Sequence, residues 1–74
     1  MIKIEQLLPL LKKGFVVMEK DGLFYYHSLQ PTINKKRGEW DSAGIESIIS
    51  CLSDASDIEP VKDWTKSLMR CGDE

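Results

Sequence analysis

The sequence predicts an α+β fold: an N-terminal helix, a β-hairpin, and two C-terminal helices packed on one face of the hairpin sheet. A dense run of β-branched and aromatic residues at 15–28 is divided by Asp21-Gly22, and this pair is a strong hairpin signal because glycine adopts positive φ without steric cost. On both sides of the hairpin, apolar residues recur at three- and four-residue spacing, which is typical of helices. At 74 residues, the chain 1–74 is expected to form one small domain.

The first predicted helix precedes the hairpin. Its apolar residues share one helical face and are Ile4, Leu7, Leu8 and Leu11. Pro9 removes a backbone donor from the middle of this segment, and Gly14 is a natural stop. We therefore expect a short or bent helix.

The hairpin register decides which side chains share a face. A three-residue loop, 20–22, pairs Met18 with Phe24 and gives one face without charge, whereas a two-residue loop leaves both faces mixed. A slip of one residue moves every side chain to the other face, so we expect the three-residue loop. The uncharged face then carries Val16, Met18, Phe24 and Tyr26. The opposite face carries Phe15, Val17, Glu19, Leu23, Tyr25 and His27.

The segment after the hairpin leaves the sheet at Pro31, which cannot donate to a strand ladder. A turn at 34–38 then leads to a short third strand at Glu39–Asp41, expected beside the hairpin. Asp41 or Ser42 can cap the second helix. The inward stripe of this helix is Ile45, Ile48, Ile49 and Leu52.

The third predicted helix begins after Ser56, which has the capping-box spacing to Glu59 and is followed by Pro60. It runs to about Arg70 and is stopped by Gly72. Its inward stripe is Val61, Trp64, Thr65 and Leu68. The predicted core combines the three elements: Val16, Met18, Phe24, Tyr26, Ile45, Ile48, Ile49, Leu52, Trp64 and Leu68.

Composition excludes several classes of protein. No apolar run reaches the ~18 residues of a membrane span, and the N-terminus lacks the features of a signal peptide. Cys51 and Cys71 lie outside any metal-binding spacing, and we expect both thiols to be reduced in a cytoplasmic protein. The net charge of −2 hides an asymmetry, because residues 1–38 carry seven Lys or Arg and three Asp or Glu, whereas residues 39–74 carry three and nine.

The sequence contains no constellation typical of an enzyme. His27 is the single histidine, and a catalytic pair with Cys51 is disfavoured because that cysteine lies in an ordinary apolar stripe. Three or four ligands at matching spacing would be needed for a metal. We therefore predict no catalytic residues, no metal site and no cofactor.

Nucleic-acid binding is the alternative function. The basic turn Lys35, Lys36 and Arg37, with Trp40 nearby, combines positive charge for phosphate with an aromatic ring for stacking. Three basic residues in an acidic protein are a weak signal, because nucleic-acid-binding domains are usually basic as a whole.

The favoured function is that of a non-enzymatic protein–protein interaction module. Small regulatory, accessory or inhibitor proteins, including those of phages and mobile elements, are modules of this kind. Its partner would be another protein or a second copy of the chain. The apolar second face of the hairpin would form an exposed contact surface, unless the N-terminal helix covers it. The predicted contact residues are Phe15, Val17, Leu23, Tyr25, His27 and Trp40.

Overall fold

The computed structural model describes residues 1–72, and it is built mostly from antiparallel sheet instead of helices. A four-stranded sheet has the order β5–β2–β1–β6, and a separate two-stranded sheet joins β3 to β4. The strands are β1 (Gly14–Met18), β2 (Phe24–His27), β3 (Thr32–Asn34), β4 (Glu39–Asp41), β5 (Ile49–Cys51) and β6 (Met69–Cys71). Short 3₁₀ helices are at Ile4–Gln6, Leu8–Leu10, Leu52–Asp54 and Trp64–Lys66. The predicted fold class, with two C-terminal helices packed on a sheet, is wrong.

The β1–β2 hairpin has the predicted register. Met18 lies opposite Phe24, and Val16 lies opposite Tyr26. The N–H of Glu19 donates to the carbonyl of Leu23 at 3.0 Å, which closes a three-residue loop. Gly22 has a φ of 90°, the left-handed conformation expected of glycine in this type of loop.

The N-terminal helix is reduced to two short 3₁₀ helices, which follow each other at Ile4–Gln6 and Leu8–Leu10. Pro9 lies within the second one, and its missing N–H prevents a continuous α-helix. The predicted apolar face is nevertheless the buried one, since Ile4 is only 1% exposed and Leu7, Leu8 and Leu11 pack against the core.

The helix predicted after Asp41 does not form. Gly44 has a φ of 151°, outside the helical range, and residues 45–48 continue in an irregular path to β5. Ile48 and Ile49 are β-branched, and such side chains fit a strand better than a helix. The predicted core positions Ile45, Ile48 and Ile49 are consequently wrong, because all three side chains are exposed.

The helix predicted after Pro60 is also absent. A single 3₁₀ turn at Trp64–Lys66 takes its place. The carboxylate of Asp63 accepts hydrogen bonds from the N–H of Thr65 at 3.0 Å and from its hydroxyl at 2.6 Å. Asp63 is thus the N-cap of this turn, and its own backbone is extended (φ −129°, ψ 103°), so the helix predicted from Pro60 is interrupted at Asp63. The chain then enters β6, which pairs with β1.

The third strand exists, but it pairs with a strand that the sequence did not predict. Glu39–Asp41 pairs with Thr32–Asn34, with Trp40 opposite Ile33. The turn between the two strands ends at Gly38, whose φ of 71° again favours glycine. This second hairpin is not hydrogen-bonded as a strand to the larger sheet in the described residues.

The core lies on one face of the four-stranded sheet. The predicted positions Val16, Met18 and Phe24 are buried there, together with three residues that the sequence analysis did not assign to it: Ile4, Ile58 and Cys71. Tyr26, Leu52 and Trp64 pack against this cluster and are partly buried. Leu68 is also partly buried, although it is not among the residues that pack against the cluster.

The other face of the hairpin is also covered. Val17 is 0% and His27 is 2% exposed, although neither belongs to the main cluster. Pro31 and Trp40 are buried as well, and neither belongs to the main cluster. The N-terminal segment packs on the main cluster, through Ile4, Leu7, Leu8 and Leu11. Both faces of the hairpin therefore carry side chains that are shielded from solvent.

Candidate functional site

The predicted contact residues differ in how much surface they offer. Val17, His27 and Trp40 are buried. Phe15 and Tyr25 are partly buried, and Leu23 is exposed. A buried side chain cannot contact a partner without a rearrangement of the fold, so the surface available on this face is restricted to Phe15, Leu23 and Tyr25.

Trp40 connects the β3–β4 hairpin to the β1–β2 hairpin through two hydrogen bonds. Its indole N–H donates to the carbonyl of Met18 at 3.2 Å, and its backbone N–H donates to the carboxylate of Glu19 at 3.3 Å. Burial raises the pKa of Glu19, while the hydrogen bond from Trp40 acts in the opposite direction. These contacts give Trp40 a structural role.

His27 and Cys51 lie on the same face of the sheet, at diagonal positions of the β2–β5 pair. The Nδ1 atom of His27 is buried and has no hydrogen-bond partner within residues 1–72. Burial lowers the pKa of His27, so the imidazole is neutral near pH 7. A buried neutral histidine without a bonded nucleophile or carboxylate lacks the arrangement of a general base.

The basic turn lies between β3 and β4. Lys35, Lys36 and Arg37 are exposed, and the guanidinium of Arg37 lies 3.3 Å from the carboxylate of Glu39. Asn34 accepts a hydrogen bond from the backbone N–H of Arg37 at 3.1 Å, which fixes the turn. Trp40 is buried and cannot stack on a base, so the turn lacks the aromatic partner that the sequence placed beside it.

A shallow cleft of about 580 Å³ opens at the start of β1 and the end of β6. Two cations, Lys13 and Arg70, line it, together with Gly14, Phe15, Ser28, Cys71 and Gly72. The guanidinium of Arg70 lies over the ring of Phe15, 6.0 Å from its centroid. Burial raises the pKa of the Cys71 thiol, so this cysteine is a poor nucleophile at neutral pH.

Several exposed apolar side chains lie in and around β5. Ile45 is fully exposed, Ile48 is 67% exposed, Ile49 is 47% exposed and Leu29 is 43% exposed. Two hydrogen bonds hold these segments together: the N–H of Ser28 donates to the carbonyl of Ile48, and the N–H of Leu29 donates to the hydroxyl of Ser47. We call the side chains of Leu29, Ile45, Ile48 and Ile49 the β5 patch.

Sequence reasoning missed the β5 patch because a helical spacing assigned its isoleucines to the core. One signal could have identified it. Residues 44–53 contain no Lys, Arg or Pro, the residues with which proteins protect a strand edge from other chains. Exposed isoleucines in such a segment form a surface where apolar contact is favoured.

The described residues contain no helix with the length and apolar character of a membrane span. Nor do residues 1–72 bring together three His, Cys, Asp or Glu side chains that could hold a metal ion. No family model matches the chain, and no curated protein or solved structure is significantly similar to it.

Proposed function

We propose that the protein is a non-enzymatic protein–protein interaction module that works in the cytoplasm. The observation that supports this is the β5 patch. Three isoleucines within five positions are exposed, whereas Val16, Val17 and Phe24 are fully buried on the two faces of the hairpin. Apolar patches of this kind on small proteins usually mark interaction sites.

The composition of the surrounding surface also supports an apolar contact. Glu46 is the one charged residue in 44–53, so a partner would not have to remove water from several charges. Interfaces with a neutral centre and a polar rim are typical of stable complexes. A regulatory, accessory or inhibitor role suits a small chain of this design, whether it comes from a phage, a mobile element or a host.

Binding energy is expected to concentrate in the patch. We propose Ile48 and Ile49 as its centre; they point to opposite faces of the edge strand, and Tyr25, which lies opposite Cys51 on the neighbouring strand, shares the face of Ile49. This differs from the contact surface predicted from the sequence, since Val17, His27 and Trp40 of that surface are buried. Truncation of a central anchor typically weakens binding by ~2 kcal/mol or more.

The experiment compares Ile48→Asp with wild type. Tagged proteins are purified from the cells that naturally produce the chain, and each co-purifying protein is then produced separately and titrated by calorimetry. We expect a purified partner, or the chain itself, to bind Ile48→Asp at least ~30-fold more weakly than wild type. Leu10→Asp is the matched control, because Leu10 is equally apolar, 78% exposed and outside the patch.

Two outcomes would contradict the proposal. One is a purified partner that binds wild type and Ile48→Asp equally. The other is that no protein, the chain itself included, binds in the purified system. Circular dichroism spectra of both variants must match wild type, so that lost binding cannot be attributed to unfolding.

Nucleic-acid binding through Lys35, Lys36 and Arg37 is the weaker proposal. It has exposed charge in its favour, but one of the three cations is paired with Glu39. Phosphate contacts make affinity fall steeply with salt, whereas an apolar interface is nearly insensitive to it. An affinity series between low and physiological salt therefore separates the two functions.

A further inference from the structure

The two edges of the four-stranded sheet differ in whether other parts of the chain are hydrogen-bonded to them. At one edge, two hydrogen bonds link β6 and the following residue to the N-terminal segment. The N–H of Gly72 donates to the carbonyl of Leu8 at 3.2 Å, and the thiol of Cys71 donates to the carbonyl of Lys12 at 3.4 Å. Arg70, in the middle of β6, is exposed and charged. At the other edge, β5 pairs only with β2 in the described residues. The open edge is therefore β5.

The alternation of hydrogen bonds along β5 shows which of its backbone groups point away from β2. Ile48 is bonded to Ser28 on the β2 side, since its carbonyl accepts from the N–H of Ser28 and its N–H donates to the hydroxyl. Antiparallel strands alternate between bonded and non-bonded pairs. The N–H and carbonyl of Ile49, and the N–H of Cys51, thus point away from β2. These groups are ready to pair with another strand.

We propose that a second copy of this chain occupies this edge, with β5 pairing antiparallel to β5 about a two-fold axis at Ile49. The inference rests on the proposed interaction function and names its partner. The N–H and carbonyl of Ile49 would bond to the carbonyl and N–H of Ile49 in the second copy. Cys51 would donate its N–H to the carbonyl of Ser47. The eight strands of the two copies would then form one continuous antiparallel sheet.

Side-chain chemistry favours this register. Ile49 lies opposite Ile49, and β-branched pairs stabilise antiparallel sheets. Ile48 lies opposite Ser50, so that a large side chain meets a small one.

Neighbouring registers are less favourable. A register centred on Ser50 would need the carbonyl of Cys51, but Cys51 is the N-cap residue of the 3₁₀ helix Leu52–Asp54, and the carbonyl of an N-cap accepts the first bond of its helix. A register centred on Ile48 would need the N–H of Ser47, which already donates to the carbonyl of Gly44 at 3.1 Å. In a register whose two-fold axis lies between two residues, the outward backbone groups of one copy face residues whose backbone groups point inward, to β2. Such a register cannot form the hydrogen bonds between the two copies.

The chemistry of the edge explains why a copy of this chain fits it. Both copies present the same three outward backbone groups, so a two-fold arrangement satisfies all of them at once. Neither copy carries a Lys, Arg or Pro in 44–53 to oppose the approach. The small net charge of −2 adds little repulsion between copies.

The first test is the oligomeric state of the full chain. Sedimentation equilibrium across a hundred-fold range of concentration should show a monomer–dimer equilibrium for wild type. Ile49→Lys places two like charges at the two-fold axis and should weaken the dimer at least ten-fold. Leu10→Lys, which adds the same charge away from β5, should leave it unchanged.

The second test fixes the register by disulfide formation. Opposite residues of a bonded antiparallel pair have Cα atoms about 5.5 Å apart, within the range that a disulfide bridges. In a Cys51→Ser background, Ile49→Cys should form a covalent dimer under mild oxidation roughly ten-fold faster than Ile48→Cys, whose opposite residue is Ser50. The background protein alone, with Cys71 buried, controls for the native thiol.

The outcomes separate this inference from the proposed function. A wild-type protein that is monomeric at every concentration overturns the second-copy proposal, and the interaction function survives if Ile48→Asp loses a different partner. A dimer that crosslinks as fast at residue 48 as at residue 49 overturns the register. A dimer that Ile49→Lys leaves intact overturns the use of this edge.

Discussion

The backbone N–H of Met18 donates to the hydroxyl of Ser67, 2.8 Å away and 49 residues further along the chain. The same hydroxyl lies 2.7 Å from the carbonyl of Trp64, to which it can donate. Ser67 is buried at 3% exposure. One side chain thus ties the end of β1 to the turn that precedes β6, and it satisfies a main-chain donor that would otherwise be buried without a partner.

Replacement of this serine should therefore be costly. Ser67→Ala leaves the N–H of Met18 buried and unsatisfied, and we expect a loss of about 1–3 kcal/mol in the free energy of unfolding. Urea denaturation followed by tryptophan fluorescence measures it. Ser47→Ala is the control, because the Ser47 hydroxyl accepts an exposed and longer bond of 3.4 Å. Equal losses in the two variants would show that burial of the Met18–Ser67 bond does not matter.

The hairpin could be predicted from the sequence because its information is local. Asp21-Gly22 specifies a turn, and the alternation on either side allows only one register with an uncharged face. That register is the one observed. The short strand Glu39–Asp41 was also predictable as a strand, although its pairing with residues 32–34 was not.

The C-terminal half could not be predicted because two local signals conflict there. Ile45, Ile48, Ile49 and Leu52 have helical spacing, yet three of them are β-branched and Gly44 interrupts the segment. In the structure, Ile48 is instead held in the sheet by hydrogen bonds to Ser28. The two residues are 20 positions apart, and the spacing of apolar residues along the sequence cannot reveal such a contact. The β5 patch was missed for the same reason, since its residues were assigned to the core.

The location of the core can be tested by two truncations. Phe24 is fully buried in the main cluster, so Phe24→Ala should cost about 3–5 kcal/mol. Ile48 is 67% exposed, and Ile48→Ala should cost less than about 1 kcal/mol, because it leaves no cavity. Both values come from denaturant unfolding. A large loss of stability for Ile48→Ala would instead place Ile48 in the core, as the helix predicted from the sequence does.

The basic turn provides a third prediction. Changing Lys35, Lys36 and Arg37 together to alanine should leave binding to a protein partner within about three-fold of wild type, because exposed charges at a rim chiefly alter association rates. Fluorescence anisotropy against single- and double-stranded oligonucleotides tests the alternative function. If wild type binds them with a steep salt dependence that the triple variant loses, nucleic acid replaces protein as the favoured partner.

The last prediction concerns pH and the buried His27. Burial lowers the pKa of its imidazole below the ordinary value of 6.5, so the folded chain keeps the ring neutral while the unfolded chain protonates it near pH 6.5. Between these two pKa values the unfolded state binds more protons. The free energy of unfolding must therefore fall as pH decreases through this window, with a slope of up to ~1.4 kcal/mol per pH unit. Above pH 7 the contribution of His27 is constant.

His27→Gln removes the titrating group and keeps a polar side chain of similar length. Unfolding by urea at half-unit steps from pH 7.5 to pH 5 should show wild type losing stability relative to His27→Gln as pH falls. The difference between the two proteins isolates His27, because Glu19, whose pKa is raised, titrates in both and cancels. Parallel stability curves for the two proteins would mean that His27 gains its proton equally in the folded and unfolded states. That result would place the imidazole in contact with water and remove the burial of this face as a feature of the fold.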